Sequence, residues 1–461
     1  MRTTSEQRWV LGLASIGSVM VALDVLVVAA ALTTIRADLG ASAEQLEWTV
    51  NAYALSFAML LMTAAAIGDR LGRRRTYAGG LALFTAASVG CALATSVPWL
   101  IAARAVQGVG AAAVMPVAMG LLGAAFPPER RGWATGVFSG VTGLAVLGGP
   151  MIGGAVTEGL SWQWIFWINV PIGLIAIALV LRKIPESKGP SRRLDLVGAV
   201  LISLAVLGLV WGVVHGGSAG WSSAEVLGSF AAGVVLLAAF AGWEGRTAHP
   251  MIPLEFFRNR TFTAANSAGF FLSAALFSAV FFLSQYMQVV FGSAPLKAGL
   301  QLLPWTATLF FVGPLAGRLI DRVGERPLVV IGMTLQTIGM FWVSRSTGQY
   351  YELVAPLVVT GCGISLAMPA AQSASIGALP REAVGIASGV YGMTRQLGGA
   401  AGVAVLGSVF VSAGGYAGHG FTRALAGCGV LSLLAALSGL GITARRRTAQ
   451  PVATKVVEGV G

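Results

Sequence analysis

Charge is scarce in this chain. Only 10% of its 461 residues are Asp, Glu, Lys or Arg, against about 25% in soluble domains, too few to cover a water-facing surface. Histidine and cysteine are rarer still, with three of each. Cys91, Cys362 and Cys428 all fall inside apolar runs without metal-ligand spacing. They are expected to be packed thiols, and no metal site is expected. No phosphate-binding G-x-x-x-x-G-K-S/T loop occurs, and no interval between apolar runs could hold a nucleotide-binding domain. No cofactor is therefore expected, and work done by the protein must draw on an ion gradient.

Apolar length is abundant. Residues of the apolar set make up 56% of the chain and gather into fourteen runs, the first near 9–33 and the last near 421–442. At about 20 residues per helical span, these runs read as transmembrane helices. The net charge of +12 would suggest nucleic acid in a soluble protein. Here the positive residues mark topology, and no nucleic-acid partner is expected. Alternate loops and the two tails carry 24 of the 30 Lys and Arg, the opposite loops carry four, and Arg104 and Arg395 lie inside spans. This asymmetry predicts that both termini are cytoplasmic.

The two halves repeat. At an offset of 253, Gly108/Gly361, Gly110/Gly363, Met115/Met368, Pro116/Pro369, Pro127/Pro380, Glu129/Glu382 and four further pairs coincide. Asp69-Arg70 and Asp321-Arg322 are offset by 252. The expected fold is an all-α integral membrane protein of fourteen transmembrane helices, two pseudo-symmetric six-helix bundles plus two inserted helices. The bundles are placed at 1–182 and 245–442, the linker and inserted pair at 183–244, and a basic cytoplasmic tail at 443–461. Duplicated bundles of this kind are how many secondary transporters are built, with a site at the repeat interface.

Four constellations carry chemistry. The loop after the second span reads Gly68-Asp69-Arg70-Leu71-Gly72-Arg73, and its counterpart holds Gly317, Asp321, Arg322, Gly324 and Arg326. Its Asp can cap a helix or pair with an Arg, forming a latch that differs between two conformations. Asp24 is the single carboxylate well inside any span, and Arg104 lies inside the fourth. Intramembrane charges are expensive and are functional-site candidates by default. A carboxylate poised between desolvation and a nearby Arg can take and release a proton, so Asp24 and Arg104 form the expected proton-coupling pair; a purely structural pair is the alternative. In the fifth span, Gly149, Pro150, Gly153 and Gly154 offer a kink and close helix approach. Arg395, in the thirteenth span, can contact an anionic substrate, hold Asp24 or face a water-filled cavity. Gln107, Asn51 and Tyr53 are further candidates for a cavity.

These motifs resemble those of the major facilitator superfamily, and within it the fourteen-span drug:proton antiporters. The loop motif is complete in the second half, while Ala65 replaces its leading Gly in the first. Leu100-x3-Arg104-x2-Gln107-Gly108-x-Gly110 matches the family's Arg motif, which the resemblance links to proton transfer. Gly149-Pro150-x2-Gly153-Gly154 resembles the signature of exporters, where it is thought to seal a helix interface. The motif around Asp24 departs from the family, with Leu26, Ala29 and Thr33 in place of its Thr, Asn and Pro. The resemblance implies a monomer in the bacterial cytoplasmic membrane, exchanging protons for small lipophilic drugs or antibiotics. The rival classes are a proton-coupled importer on the same fold and a membrane sensor that transports nothing.

Overall fold

In this computed structural model the described residues are 4–189, 195–247, 250, 252–346, 348–380, 383–416 and 418–443. Residues 444–461 of the basic tail and the linker arginines Arg192 and Arg193 lie outside them. The first half comprises α1 (Ser5–Leu39), α2 (Ala43–Leu71), α3 (Arg73–Ala92), α4 (Val97–Ala125), α5 (Pro128–Gly159), the short α6 (Trp164–Trp167) and α7 (Asn169–Lys183). Two more follow, α8 (Leu196–Ala219) and α9 (Ala224–Glu244). The second half comprises α10 (Arg260–Val289), α11 (Pro295–Gln301), α12 (Leu303–Val323), α13 (Glu325–Val343), α14 (Tyr350–Gly377), α15 (Val384–Ser412) and α16 (Gly420–Gly439). Local chemistry explains where they begin. Thr4 with Gln7, and Ser42 with Gln45, form reciprocal capping boxes at α1 and α2, which satisfy the otherwise unpaired first amides. Gly40 ends α1 at φ +64°, a backbone that residues with a Cβ avoid.

Among the described residues, eleven helical segments are long and apolar enough to cross a membrane. The helices α3, α5 and α15 have the length without being among them, at 20, 32 and 29 residues. The protein is thus a multi-pass helical membrane protein. His215 lies on α8, which continues to Ala219.

Duplication is visible in the packing. A Cβ on Gly110 of α4 would lie 2.5 Å from the Phe84 amide nitrogen and 2.9 Å from the Gly80 carbonyl of α3. In the second half, a Cβ on Gly363 of α14 would meet the Gly332 carbonyl and lie 2.7 Å from the Gln336 nitrogen of α13. Those residues are related by the two offsets found in the sequence, and both crossings bring backbone against backbone as only small residues allow. The halves meet through α2 with α15 and α5 with α12. The pair α8–α9 packs on itself, and α8 lies along the α2–α15 seam. There Ile202, Val206 and Val210 share an apolar cluster with Leu55, Met62 and Val390, and Ser203 Oγ donates to the Met59 carbonyl at 2.8 Å.

Candidate functional site

Asp24 sits on α1, five turns into the helix, and is 2% exposed. Its Oδ2 accepts from Nη1 of Arg104 on α4. Its Oδ1 accepts from Gln107 Nε2 at 2.8 Å and from Asn169 Nδ2, at the start of α7, at 3.2 Å. Arg104 is itself 0% exposed. It donates from Nη1 to Gln107 Oε1 at 2.6 Å and from Nε to the Thr49 carbonyl on α2 at 3.2 Å. Its guanidinium also lies 4.3 Å from the centroid of the Tyr53 ring, a cation–π contact. Gln107 donates to Ser88 Oγ at 2.9 Å, and the Cys91 thiol points at its Oε1 from 3.7 Å. Five helices of the first bundle converge on one carboxylate and one guanidinium, whose Nε and Nη1 both find acceptors.

The repeat supplies its own control. The offset of 253 takes Arg104 to Leu357 and Gln107 to Thr360, and the offset of 252 takes Asp24 to Leu276, Ser88 to Met340 and Cys91 to Val343. Leu357, Met340 and Val343 are core members of an apolar cluster in the second bundle, with Leu276 packed against it. The same helix arrangement therefore packs with hydrocarbon where the first bundle keeps an ion pair. Burying an ion pair seldom stabilises more than well-packed apolar groups do, so packing alone does not account for the pair.

The structure thus brings Asp24, Arg104, Gln107 and Tyr53 together. Asn51 is half-buried on α2, and no side-chain hydrogen bond to it is found among the described residues. Arg395 stands apart from Asp24, with Nε donating to Ser273 Oγ on α10 at 3.3 Å. Asn169, Ser88 and Thr49 were not singled out from sequence as site residues. The signal available was that Asn169 is a polar residue opening an apolar helix.

The arginine-rich segment expected as a loop is helical except at Gly72, since α2 runs through Leu71 and α3 begins at Arg73. Asp69 Oδ1 accepts from Arg73 Nε and Nη2, each at 2.8 Å, and Arg73 Nη1 reaches the Gly120 carbonyl of α4 at 3.1 Å. Gly72, at φ +118°, joins α2 to α3. Glu186 from the linker accepts from the Arg74 amide at 2.9 Å, and the Gly189 amide donates to the Asp69 carbonyl at 2.9 Å. Asp69 Oδ2 also lies 3.2 Å from where a Cβ on Gly385 of α15 would stand, so this loop touches the second bundle. Arg70 is exposed. In the counterpart, Gly324 joins α12 to α13 at φ +84°, Arg322 is exposed, and the side chain of Asp321 lies outside what is described. A Cβ on Gly72 would lie 2.6 Å from the Glu186 carboxyl and would need a strained backbone. Gly72→Ala is therefore expected to destabilise the protein by about 1–3 kcal/mol, read as a lowered melting temperature with a slowed transport rate.

On α5, helical through residue 150, Gly149 crosses α1 so closely that a Cβ would lie 2.5 Å from the Leu26 Cβ. Gly153 and Gly154 are buried, and the Pro150 ring lies outside what is described. Leu26 sits two residues from Asp24, so Gly149→Ala must push α1 and α5 apart beside the ion pair. The expected outcome is a several-fold fall in transport with an intact fold, measured in vesicles at matched protein content.

Two duplicated helical bundles are the architecture on which many membrane transporters are built. The sequence matches the model of the Major Facilitator Superfamily over residues 14–311 and 265–458, and the chain belongs to that superfamily of transporters, not to an enzyme family. It is 34% identical over 402 residues to the tetracenomycin C resistance and export protein of Streptomyces glaucescens, covering 86% of this chain and 75% of that one. Similarity to the methylenomycin A resistance protein of Streptomyces coelicolor is 34% over 444 residues, covering 95% and 93%. With the lincomycin resistance protein of Streptomyces lincolnensis it is 35% over 459 residues, covering 97% and 94%. A solved structure, the human organic anion transporter MFSD10, matches with a TM-score of 0.66 at 16% identity, over 95% of this chain and 100% of that one. At that identity the likeness is one of fold alone.

Proposed function

We propose that the protein is a proton-coupled exporter of small lipophilic drugs or antibiotics, working by alternating access in the bacterial cytoplasmic membrane. In this reading the eleven apolar segments and α3, α5 and α15 make fourteen spans. Both termini and the arginine-rich loops face the cytoplasm, and α8–α9 is an insertion between two six-helix bundles. The protein acts as a monomer. Its partners are protons, membrane lipid and the exported compound. Relatives named for resistance to, or export of, antibiotics support the outward direction.

The observation that carries the proton coupling is the Asp24–Arg104 pair, buried in one bundle and replaced by hydrocarbon in the other. A proton arriving from outside neutralises Asp24 and removes the charge that holds Arg104. Arg104 keeps the Thr49 carbonyl, Gln107 and the Tyr53 face, so α1 loses its ionic tie to α4, keeping only the Gln107 bond, while the cation stays solvated by protein. An intramembrane charge is worth a few kcal/mol, and the electrical term of the gradient is about 2.3 kcal/mol per 100 mV. The two are matched well enough for one to drive the other. The Asp69–Arg73 loop, in touch with α15, is the latch that differs between the two access states.

The test uses inside-out vesicles holding a proton gradient reported by a pH-sensitive dye. A panel of lipophilic compounds is added, and at least one is expected to collapse the gradient only where the protein is present. Uptake of that compound into whole cells, with no gradient response in inverted vesicles, would instead indicate an importer.

A further inference from the structure

We propose that Arg395, held at Nε by the buried Ser273 and flanked by Phe277, forms an acid-binding subsite in the second bundle, and that the exported compound is a lipophilic organic anion. This rests on the transport reading above.

Arg395 lies eleven residues into α15, about 16 Å along the helix, and its guanidinium stays charged at any accessible pH. The surroundings of α15 fix the direction it faces. Gly398 and Gly402 press on the Phe270 and Ala274 carbonyls of α10. Gly389 and Gly392 face Met62 and Leu61 of α2, and Val390 and Leu397 join the cluster beneath α8. At 100° per residue, Arg395 falls between the α10 face and the α2 face, toward the cleft between the bundles.

Its bonding contrasts with that of Arg104. Arg104 is fully buried, its Nε and Nη1 bonded to Thr49, Asp24 and Gln107 and its charge paired with a carboxylate. Arg395 is half-buried. Among the described residues, its one hydrogen bond is from Nε to Ser273 Oγ, and no carboxylate lies within 4 Å of it. Its two terminal nitrogens carry no hydrogen bond among the described residues, and together they form the fork that binds carboxylates. The three charged side chains deep within the spans, Asp24, Arg104 and Arg395, sum to one excess positive charge, which draws an anion into the cleft.

Beside this cation is an apolar wall. The half-buried Phe277 follows Ser273 by one turn of α10, and its ring lies 2.7 Å from where a Cβ on Gly399 would stand, one turn beyond Arg395. A carboxylate or phenolate carried on an aromatic body would meet the fork and the ring together. The first bundle has no matching cation. The offset of 253 takes Arg395 to Thr142, whose hydroxyl donates to the Phe138 carbonyl at 2.9 Å. One repeat thus holds the proton group and the other the anion group.

The experiment measures binding of pyrenebutyrate and of its methyl ester to the purified full-length protein in lipid nanodiscs, by energy transfer from tryptophan to pyrene. The acid is expected to bind about tenfold tighter than the ester, the lower end of what one charge-assisted hydrogen bond supplies. Arg395→Gln should erase that gap, Arg395→Lys should keep part of it, and ester binding should be unchanged in both, which also reports an intact site. Equal binding of acid and ester by the wild type, or a gap that survives Arg395→Gln, overturns the subsite. The gradient-collapse assay separates the two ideas. Collapse by cationic or neutral compounds alone keeps the transport reading and overturns the anion subsite, whereas no collapse by any compound overturns the transport reading itself.

Discussion

Asp24→Asn is expected to abolish substrate-driven collapse of the proton gradient, down to the level of vesicles lacking the protein. Asn keeps the size of Asp but cannot exchange a proton at neutral pH. The substitution also leaves Arg104, 0% exposed, without its counter-charge. Breaking a buried pair from one side costs about 3–5 kcal/mol, so the variant should melt well below the wild type. Loss of transport alone would therefore be ambiguous, and the informative quantity is downhill movement of substrate with no gradient imposed. If facilitated movement persists while proton movement is lost, Asp24 is the coupling group. Full proton coupling in Asp24→Asn would remove it from that role.

The double variant Asp24→Leu/Arg104→Leu is expected to regain most of the lost stability without regaining proton coupling. The second bundle already packs leucine at both related positions, Leu276 and Leu357. Exchanging a buried ion pair for apolar groups is often neutral or stabilising by 1–4 kcal/mol. Gln107 keeps Ser88 as an acceptor for its amide. Asn169 loses the Asp24 oxygen it donates to, leaving a deficit of about 1–3 kcal/mol. Melting curves of wild type, the two single leucine variants and the double variant close a thermodynamic cycle. A double variant no more stable than Arg104→Leu alone would mean that the pair holds the first bundle together.

Much of this architecture is legible in the chain because lipid forces it to be. Backbone buried in hydrocarbon must satisfy its own hydrogen bonds, so spans announce themselves as long apolar runs. Asp24 and Arg104 were readable as partners for the same reason, since each is a rare charge in such a run. Asn169, Ser88 and Thr49 were not. Neutral polar side chains occur throughout these helices, and only rotation about each helix axis decides which of them reach the pair. Glu186 was equally hidden, because a linker residue gives no sign of the loop it will cross. The track of α8 along the α2–α15 seam follows from shape complementarity among Ile202, Val206 and Met62, which no one-dimensional pattern encodes. Arg395 left three roles open in sequence, and the pairing of Asp24 with Arg104 rather than with Arg395 closes one of them.

That track of α8 has a consequence for how a greasy molecule arrives. A compound dissolved in the bilayer can reach the central cleft sideways only where two bundles part along a line. One such line, between α2 and α15, is backed by α8 and α9. The other, between α5 and α12, has no such cover among the described residues, and Phe310, Phe311 and Leu315 of α12 are exposed at 55%, 73% and 50%. The scaffold is thus pseudo-symmetric, while among the described residues only one of its two seams is covered by further helices. Bulky side chains placed along α12 should slow entry of membrane-borne compounds, while equal changes on the lipid face of α9 leave it untouched.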